Sequence, residues 1–535
     1  MPDPSTSTAA TSTDETVTVR MYRQMLGDCF LLTHEFGGKT FCALIDCGVL
    51  QCIGASKPET LKAFNHIGNV VTDLKASLPK DGDGKPFIDL VIATHEHFDH
   101  LSGFIVGFAD WNDIQIGAVW MAWTENDNDD EAKAFKTKNR AAIDALRAAQ
   151  RLSPFAATAS AEAAKSTLDG MLQFAGNEAD LPPTPPKTPR SCSAVLDWLK
   201  QRVAGKGAVR FLKPGDVVEF GVAGRLTANV LGPPRNVDLL KQLDPSTNTP
   251  ETYLTKPDDV AALIGALKAV QPSLGLLLAA PLANGTPLTA DAETPFPSRF
   301  DLSGRPQLKV PSQGPPLKLD DFQQSGLSTA GLYLDPAEKE RRIDGEWLGT
   351  AATLALKIDG DVNNTSLALA IEMKGGDILL FPADAQVGNW LSWSKQSYPK
   401  KPPTPQAPVK TIGDIFGRVV FYKVGHHCSH NATMKEAGLE RMTSPDLVAM
   451  IPVVEAVAAE QKSKTNPQGW SMPFPNLYAS LKLKTKGRIV RGDGDMQAET
   501  QAFDGSPAAL RYGGGQGADL WAELTFQCDR AGSQP

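Results

Sequence analysis

At 535 residues the chain is longer than one ordinary domain, and 41% hydrophobic against 21% charged residues is the balance of a protein with a real core. Its 53 basic and 61 acidic side chains leave a net charge of −8, which excludes a chain built chiefly to grip duplex DNA, a task that needs clustered Lys and Arg. No run of about 18 apolar residues is present, so no membrane span is expected; seven cysteines in mostly apolar settings read as reduced core thiols, and the expected compartment is the cytoplasm.

Residues 1–16, Ser/Thr-rich with neither a basic start nor an apolar run, read as a disordered tail and not as a signal peptide. From Val17 the pattern predicts three short strands, Val17–Met25, Cys29–Glu35 and Thr40–Ile45, the last two joined at Gly37-Gly38. Asn69–Leu78 has helical spacing, Ile88–Ala93 is a compact apolar run expected as a buried strand, and Ala118–Ala122 is the next strand. Then the texture changes. Glu125–Asp130 reads as a solvated acidic loop, and Glu131–Leu152 and Ser160–Phe174 are Ala-rich with helical spacing. Five prolines within Leu181–Pro189 exclude regular structure there. A short helix carries Val195, Leu196, Leu199 and Val203, and Phe211–Phe220 returns to strand character around Pro214-Gly215. Residues 233–349 are rich in Pro, Gly and Ser, with one helical patch at Val260–Val270.

The expected division is a first core part over 17–123, an insertion or subdomain over 124–345, a second core part over 346–525 and a tail over 526–535. In the second part Thr365–Glu372, Asp377–Phe381, Arg418–Val424 and Leu447–Pro452 are strand-like, with a proline-rich loop at Pro399–Pro408.

Chemistry concentrates at strand ends. His95, His97, Asp99 and His100 fall in six consecutive positions after the buried strand, in a chain with only eight histidines. Imidazole and carboxylate together suit zinc and similar divalent ions. A second cluster, His426-His427-Cys428-Ser429-His430, follows the apolar Val419–Phe421, and Asp384 ends the apolar run Ile378–Phe381. In layered α/β proteins sites gather at one end of the strands, so three such clusters can meet in space. Trp390 and Trp393 read as the core face of a helix, and His34 and His66 as ordinary or satisfied histidines.

His95-Glu96-His97-Phe98-Asp99-His100 resembles the HxHxDH signature of the metallo-β-lactamase superfamily. Companion segments resemble its subgroup related to the hydrolase domain of the DNA-uptake protein ComEC: Leu26–Phe30, Leu44–Gly48, Asn363–Leu367, Phe381–Ala385 and Lys423–Ser429. The match covers about 17–123 and 350–500. It implies an α/β fold, a four-layer αββα sandwich with a large inserted region, and two divalent metal ions, zinc before manganese. It places metal 1 on His95 and His97 and metal 2 on Asp99 and His100, with Asp384 bridging. One of His426 and His427 would add a ligand to metal 2, and the other would meet a substrate oxyanion. Asp99, orienting an attacking water, and His427 are the candidate catalytic residues. Asp28 and Asp46 are placed to hydrogen-bond the ligand histidines from behind, and Lys423 and Ser429 to meet substrate, although a lysine at a strand edge usually points to solvent.

The activity implied is hydrolysis of a phosphodiester, by a phosphodiesterase or nuclease, with ester, thioester or lactam hydrolysis or non-catalytic metal sensing as alternatives. Three departures from the pattern stand out. No histidine lies between His100 and His426, where many superfamily members carry another metal-1 ligand. Met472–Pro475 stands without the histidine that the subgroup often has near the C-terminal end, and Cys428 occupies the place of a glycine, where it reads as a small buried residue.

Overall fold

The computed structural model describes residues 15–50, 58–152, 159–176, 181, 185–203, 209–242, 347–398, 409–431, 433–461, 469–515 and 519–528. Cys52, the patch at 260–270 and the loop at 399–408 lie outside them.

The strands are β1 (Thr16–Tyr22), β2 (Cys29–Phe36), β3 (Lys39–Cys47), β4 (Phe87–Ala93), β5 (Gln115–Ala122), β6 (Val209–Leu212), β7 (Val217–Phe220) and β8 (Leu226–Val230). They continue with β9 (Leu369–Glu372), β10 (Ile378–Phe381), β11 (Val419–Lys423), β12 (Val448–Ile451), β13 (Ile489–Arg491), β14 (Ala509–Gly513) and β15 (Trp521–Gln527). They form two mixed sheets, one of eight strands in the order β14-β15-β1-β2-β3-β4-β5-β6 and one of seven in the order β13-β12-β11-β10-β9-β8-β7. Strands β3 to β6 run parallel, as do β10 to β13; the other pairings are antiparallel.

Side chains alternate as the two-residue period of a strand requires. Phe30 and Leu32 of β2 and Ala43 and Ile45 of β3 face Leu369, Ile371, Leu379 and Phe381 of the other sheet in one shared core. Leu31 and Leu44 point the other way, into a cluster with the helices Pro58–Ser77, Phe98–Val106 and Cys192–Arg202. The outer face of the second sheet is covered by the helices Val387–Trp393, Ile412–Phe416, Glu455–Glu460 and Pro475–Lys484, with Trp390 and Trp393 fully buried and 4.2 Å apart. This layering is compatible with the expected αββα sandwich.

Within the span 124–345, residues 209–230 add β6 to one sheet and β7 and β8 to the other. The helices Asp130–Leu152 and Ala159–Leu172 instead pack against Trp347–Asn363 in a separate core of Ala142, Leu146, Leu168, Ala351, Ala355 and Ile358. The chain ends are longer in order than the expected tails: Thr16 pairs with Gln527 in the β1–β15 ladder, and Phe526 is buried. Glu125, expected in a solvated loop, is buried in a short 3-10 turn within ion-pair range of Lys136. Among the described residues no helix is long and apolar enough to cross a membrane.

Candidate metal centre

The sequence clusters converge at the C-terminal ends of parallel strands. Asp46 lies in β3, His95–His100 follow β4, Asp384 follows β10 and His427 follows β11. Donor atoms of Asp28, His100, Asp384 and His427 lie within 4.8 Å of one another, all buried. His427 Nε2 is 2.9 Å from Asp99 Oδ2, and His100 Nε2 is 3.1 Å from Asp384 Oδ2. His95 adjoins this group through its ring, 4.1 Å from that of His100, and its Nε2 is 3.2 Å from His97 Nδ1. Residues up to 399 positions apart, Asp28 and His427, thus share one buried centre.

The local sequence makes this approach possible. A Cβ on Gly27 would stand 2.6 Å from the Asp99 carbonyl oxygen, and one on Gly48 2.3 Å from the Asp99 carbonyl carbon. The Asp28 amide donates to the Asp99 carbonyl at 2.9 Å, and the Gly48 amide to the Asp28 carbonyl at 2.9 Å. The glycines of the Gly-Asp and Asp-x-Gly segments therefore let the chain carrying Asp99 and His100 press onto the ends of β2 and β3. Ser366, in the Asn-Asn-x-Ser-Leu segment, accepts from the Asp384 amide at 3.2 Å and lies 3.3 Å from His95 Nδ1. Backbone strain gathers here too: Asp46, Ala383, His426, His427 and Cys428 all have left-handed φ, between 43° and 65°.

Partners behind the donors fix their orientation. Asp46 Oδ2 is 2.8 Å from His100 Nδ1, while Asp46 also accepts from the amide and hydroxyl of Thr94 at 2.9 and 2.6 Å. The Pro452 carbonyl holds His427 Nδ1 at 2.8 Å, leaving Nε2 to the cluster. Asp46 therefore takes the expected backing position. Asp28 differs: it lies 3.8 Å from His100 and from His427, beyond hydrogen-bond reach, and its partner is Lys423 at 2.5 Å. Lys423 does not point to solvent; it is buried and joins Asp28 to Asp384, 3.1 Å away. His427, not His426, belongs to the donor cluster; His426 lines the cleft above, with Ser429 Oγ 3.0 Å from its Nδ1. Cys428 sits in the apolar cluster of the second sheet, where burial pushes its thiol up to about 12.

Electrostatics favour a cation. Burial opposes charge on Asp384, yet Lys423 and His100 hold its carboxyl well below the usual carboxylate range. Burial likewise opposes charge on His100, but Asp384, Asp99, Asp46 and Asp28 raise it well above an ordinary histidine, and His427 is raised beside Asp99 and Asp384. Burial, with the neighbouring His100, keeps His95 neutral, and burial pushes His97 and His426 down to about 4. Protons on His100 and His427 thus do what a divalent ion would do more strongly. Asp99 Oδ1 and Asp28 Oδ1 are buried without a hydrogen-bond partner among the described residues, as expected of oxygens suited to a cation. The donor set, neutral imidazole and carboxylate, fits zinc or manganese.

One residue absent from the sequence reading enters the site. Asp359, on the helix Trp347–Asn363, places Oδ1 3.7 Å from His97 Nε2. Its sequence signal is an acid at the i+4 position from Ala355, in line with the buried stripe of that helix. Glu96, between the two histidines, turns away toward a second cavity lined by Lys136 and Arg140, and burial, with Glu125 nearby, pushes its carboxyl up to about 7.

A cleft of about 440 Å³ lies beside the centre, with Asp359 and His426 in its wall. Phe174 and Trp470 in its wall stack on one another at 5.4 Å and 12°, and Phe174 lies 5.4 Å from the His97 ring. Among the described lining residues there is no Lys or Arg. No protein-family model and no curated protein matches the chain.

Proposed function

We propose that this chain is a metal-dependent hydrolase of the metallo-β-lactamase type, similar to the ComEC-like subgroup, acting on a small phosphodiester or nucleotide. The observation that carries this reading is the buried meeting of Asp99, His100, Asp384 and His427 from segments far apart in sequence, with carboxylate oxygens left unpartnered. Coincidental polar loops would not bring these residues together at one end of two sheets. His95, His97 and Asp384 would hold the first ion, and Asp99, His100, Asp384 and His427 the second. Divalent ions bound there would lower the pKa of water and offset charge on the entering and leaving oxygens of displacement at phosphorus.

The protein's own groups supply the rest. Asp99 Oδ2 is held by His427, so its unpartnered Oδ1 is free to accept a proton from water and orient it. Lys423 keeps Asp384 ionised, and Asp46 fixes the His100 ring. His426, at the cleft wall with its ring held by Ser429, faces the oxyanion side of a bound ester. The aromatic pair Phe174–Trp470 covers the organic part of the substrate and excludes bulk water. A cleft with no Lys or Arg among its described lining residues favours a small substrate over a nucleic-acid polymer.

The test is turnover of bis-p-nitrophenyl phosphate by zinc- or manganese-loaded protein. Exhaustive chelation should abolish it, and Asp99→Ala should lower it by roughly 10²–10⁴-fold with little change in the melting temperature of the metal-free protein. Full turnover after either treatment would refute the reading, and turnover of carboxylic esters alone would move the substrate class.

A further inference from the structure

Resting on the hydrolase reading above, we propose that the cleft beside the metal centre takes an amino-bearing nucleobase of the substrate, and that the carboxamide of Gln386 reads it. The substrate class narrows accordingly, from small phosphodiesters in general to nucleotide esters whose base carries an exocyclic amine next to a ring nitrogen, adenine first. A glutamine side chain offers an acceptor and a donor side by side, which is the complement of that edge.

Three features point to Gln386. The first is that the fold does not use its side chain. Gln386 stands just before the helix Val387–Trp393, where a polar side chain commonly bonds the first-turn amides, yet it makes no such bond. Its backbone amide donates to Asn364 Oδ1 at 3.1 Å, which fixes the main chain and leaves the carboxamide over. The second is burial: the residue is 3% exposed, and Oε1 has no hydrogen-bond partner among the described residues. A buried acceptor without a donor costs stability, so an apolar side chain of the same length would serve the fold better. The third is position. Gln386 lines the cleft and follows Asp384 by two residues, while the amide of His426, also in the cleft wall, donates to Asp384 Oδ1 at 3.0 Å. Two parts of the wall are thus anchored on the residue assigned to both ions, so a base in the cleft and a phosphate at the centre can belong to one small molecule.

The rest of the wall suits a flat, uncharged ring. Met171, Phe174, Leu356, Trp470, Met472 and Phe474 supply apolar and aromatic surface, and Leu356 leaves 47% of its own exposed. Such surface favours every base alike, so discrimination falls to polar groups. His426, Ser429 and Asn431 are joined to one another by hydrogen bonds, and Asp359 turns Oδ1 toward His97, which leaves Gln386 to offer an acceptor to a ligand. The cleft's volume of about 440 Å³ lies within the roughly 300–1,000 Å³ of small-molecule sites, room for one nucleoside and not for a strand.

Two nucleotide esters decide the matter, the p-nitrophenyl esters of adenosine monophosphate and of purine riboside monophosphate, which are alike except for the exocyclic amine. With the zinc-loaded full chain, kcat/KM should favour the adenine ester by at least ~10-fold, mostly through KM. Calorimetry should show the same preference in binding of the two free monophosphates, where no turnover is involved. In Gln386→Met both preferences should shrink to within about twofold. The metal-free variant should melt no lower than wild type, because the change removes an unpaired buried acceptor. Equal treatment of the two esters by wild type, with bis-p-nitrophenyl phosphate still turned over, would overturn the base assignment and leave the hydrolase reading standing. A preference that survives in Gln386→Met would show that this amide does not read the base, and a metal-free Gln386→Met that melts several degrees lower would show that it serves the fold instead. A wild type that turns over none of the three esters would overturn the hydrolase reading, and the base site with it.

Discussion

Cys428 shows how one side chain reconciles competing demands beside a strained loop. Its φ of +65° follows +43° at His426 and +52° at His427, so three consecutive non-glycine residues occupy left-handed conformations. Each costs about 1–2 kcal/mol relative to ordinary backbone, which explains why a glycine suits this place in the resembling subgroup. The cysteine offsets the cost by burying its side chain among the apolar residues of the second sheet. Cys428→Gly therefore removes strain and packing together, and its unfolding free energy should stay within about 1 kcal/mol of wild type. Its metal content should be unchanged. A loss of one ion on this substitution would show that the thiol is a ligand, against its apolar setting.

At the scale of elements, the helix Trp347–Asn363 places a second acid in a costly position. Asp361 is buried with Oδ1 unpartnered, and burial pushes its carboxyl up to about 6 although Lys357, Lys241 and Lys138 pull the other way. The folded state thus favours the neutral acid. Stability from this group is present below the ordinary value of 3.8, is lost as pH rises toward about 6, and is flat above that. Asp361→Asn should be more stable than wild type by up to about 3 kcal/mol at pH 7, since each pKa unit is worth about 1.4 kcal/mol. The gain should vanish near pH 4 in denaturant titrations; an equal gain at both pH values would refute this account. The same helix shows what was hard to read in the sequence. Ala351, Ala355, Ile358 and Val362 have helical spacing, but they follow a long Pro- and Gly-rich stretch, which hides the start of a helix. Strands β3, β4, β10 and β11 were legible because each is a compact apolar run ending in chemistry-bearing residues. β8, β13, β14 and β15 were not, being short or only half buried, or, like Ala522, Leu524 and Phe526 of β15, an alternation beyond the last motif. The donor residues were legible as types and positions. Their order in space was not: that His427 turns inward and His426 outward depends on two left-handed residues, and that Lys423 is buried depends on Asp28, 395 positions away.

Across the whole molecule, charge and shape set what can reach the centre. The chain carries −8, the cleft is walled by Phe174, Trp470, Met472 and Phe474, and the charged or titratable residues among its described lining are Asp359, His426 and His430. Phe174 comes from the region between β5 and β6, and its carbonyl accepts from the Phe98 amide at 2.7 Å, so that region packs onto the histidine motif, and its ring stacks on Trp470. Such a site gains affinity by covering an organic group, not by collecting phosphates. A nuclease that neutralises several phosphates loses roughly 10³–10⁵ in affinity between about 50 and 200 mM salt as counterions compete. Here the long-range field opposes an anionic substrate, and screening relieves that repulsion. For a dinucleotide phosphodiester, kcat/KM should therefore change by less than about threefold, and upward, over the same range. Under the proposed function the ring covers the part that does not react, so Trp470→Ala should raise KM for that substrate with kcat largely kept. A tenfold fall in kcat/KM with salt would mean that cationic side chains outside this cleft carry the substrate, and the small-phosphodiester assignment would give way to a polymer bound along the surface.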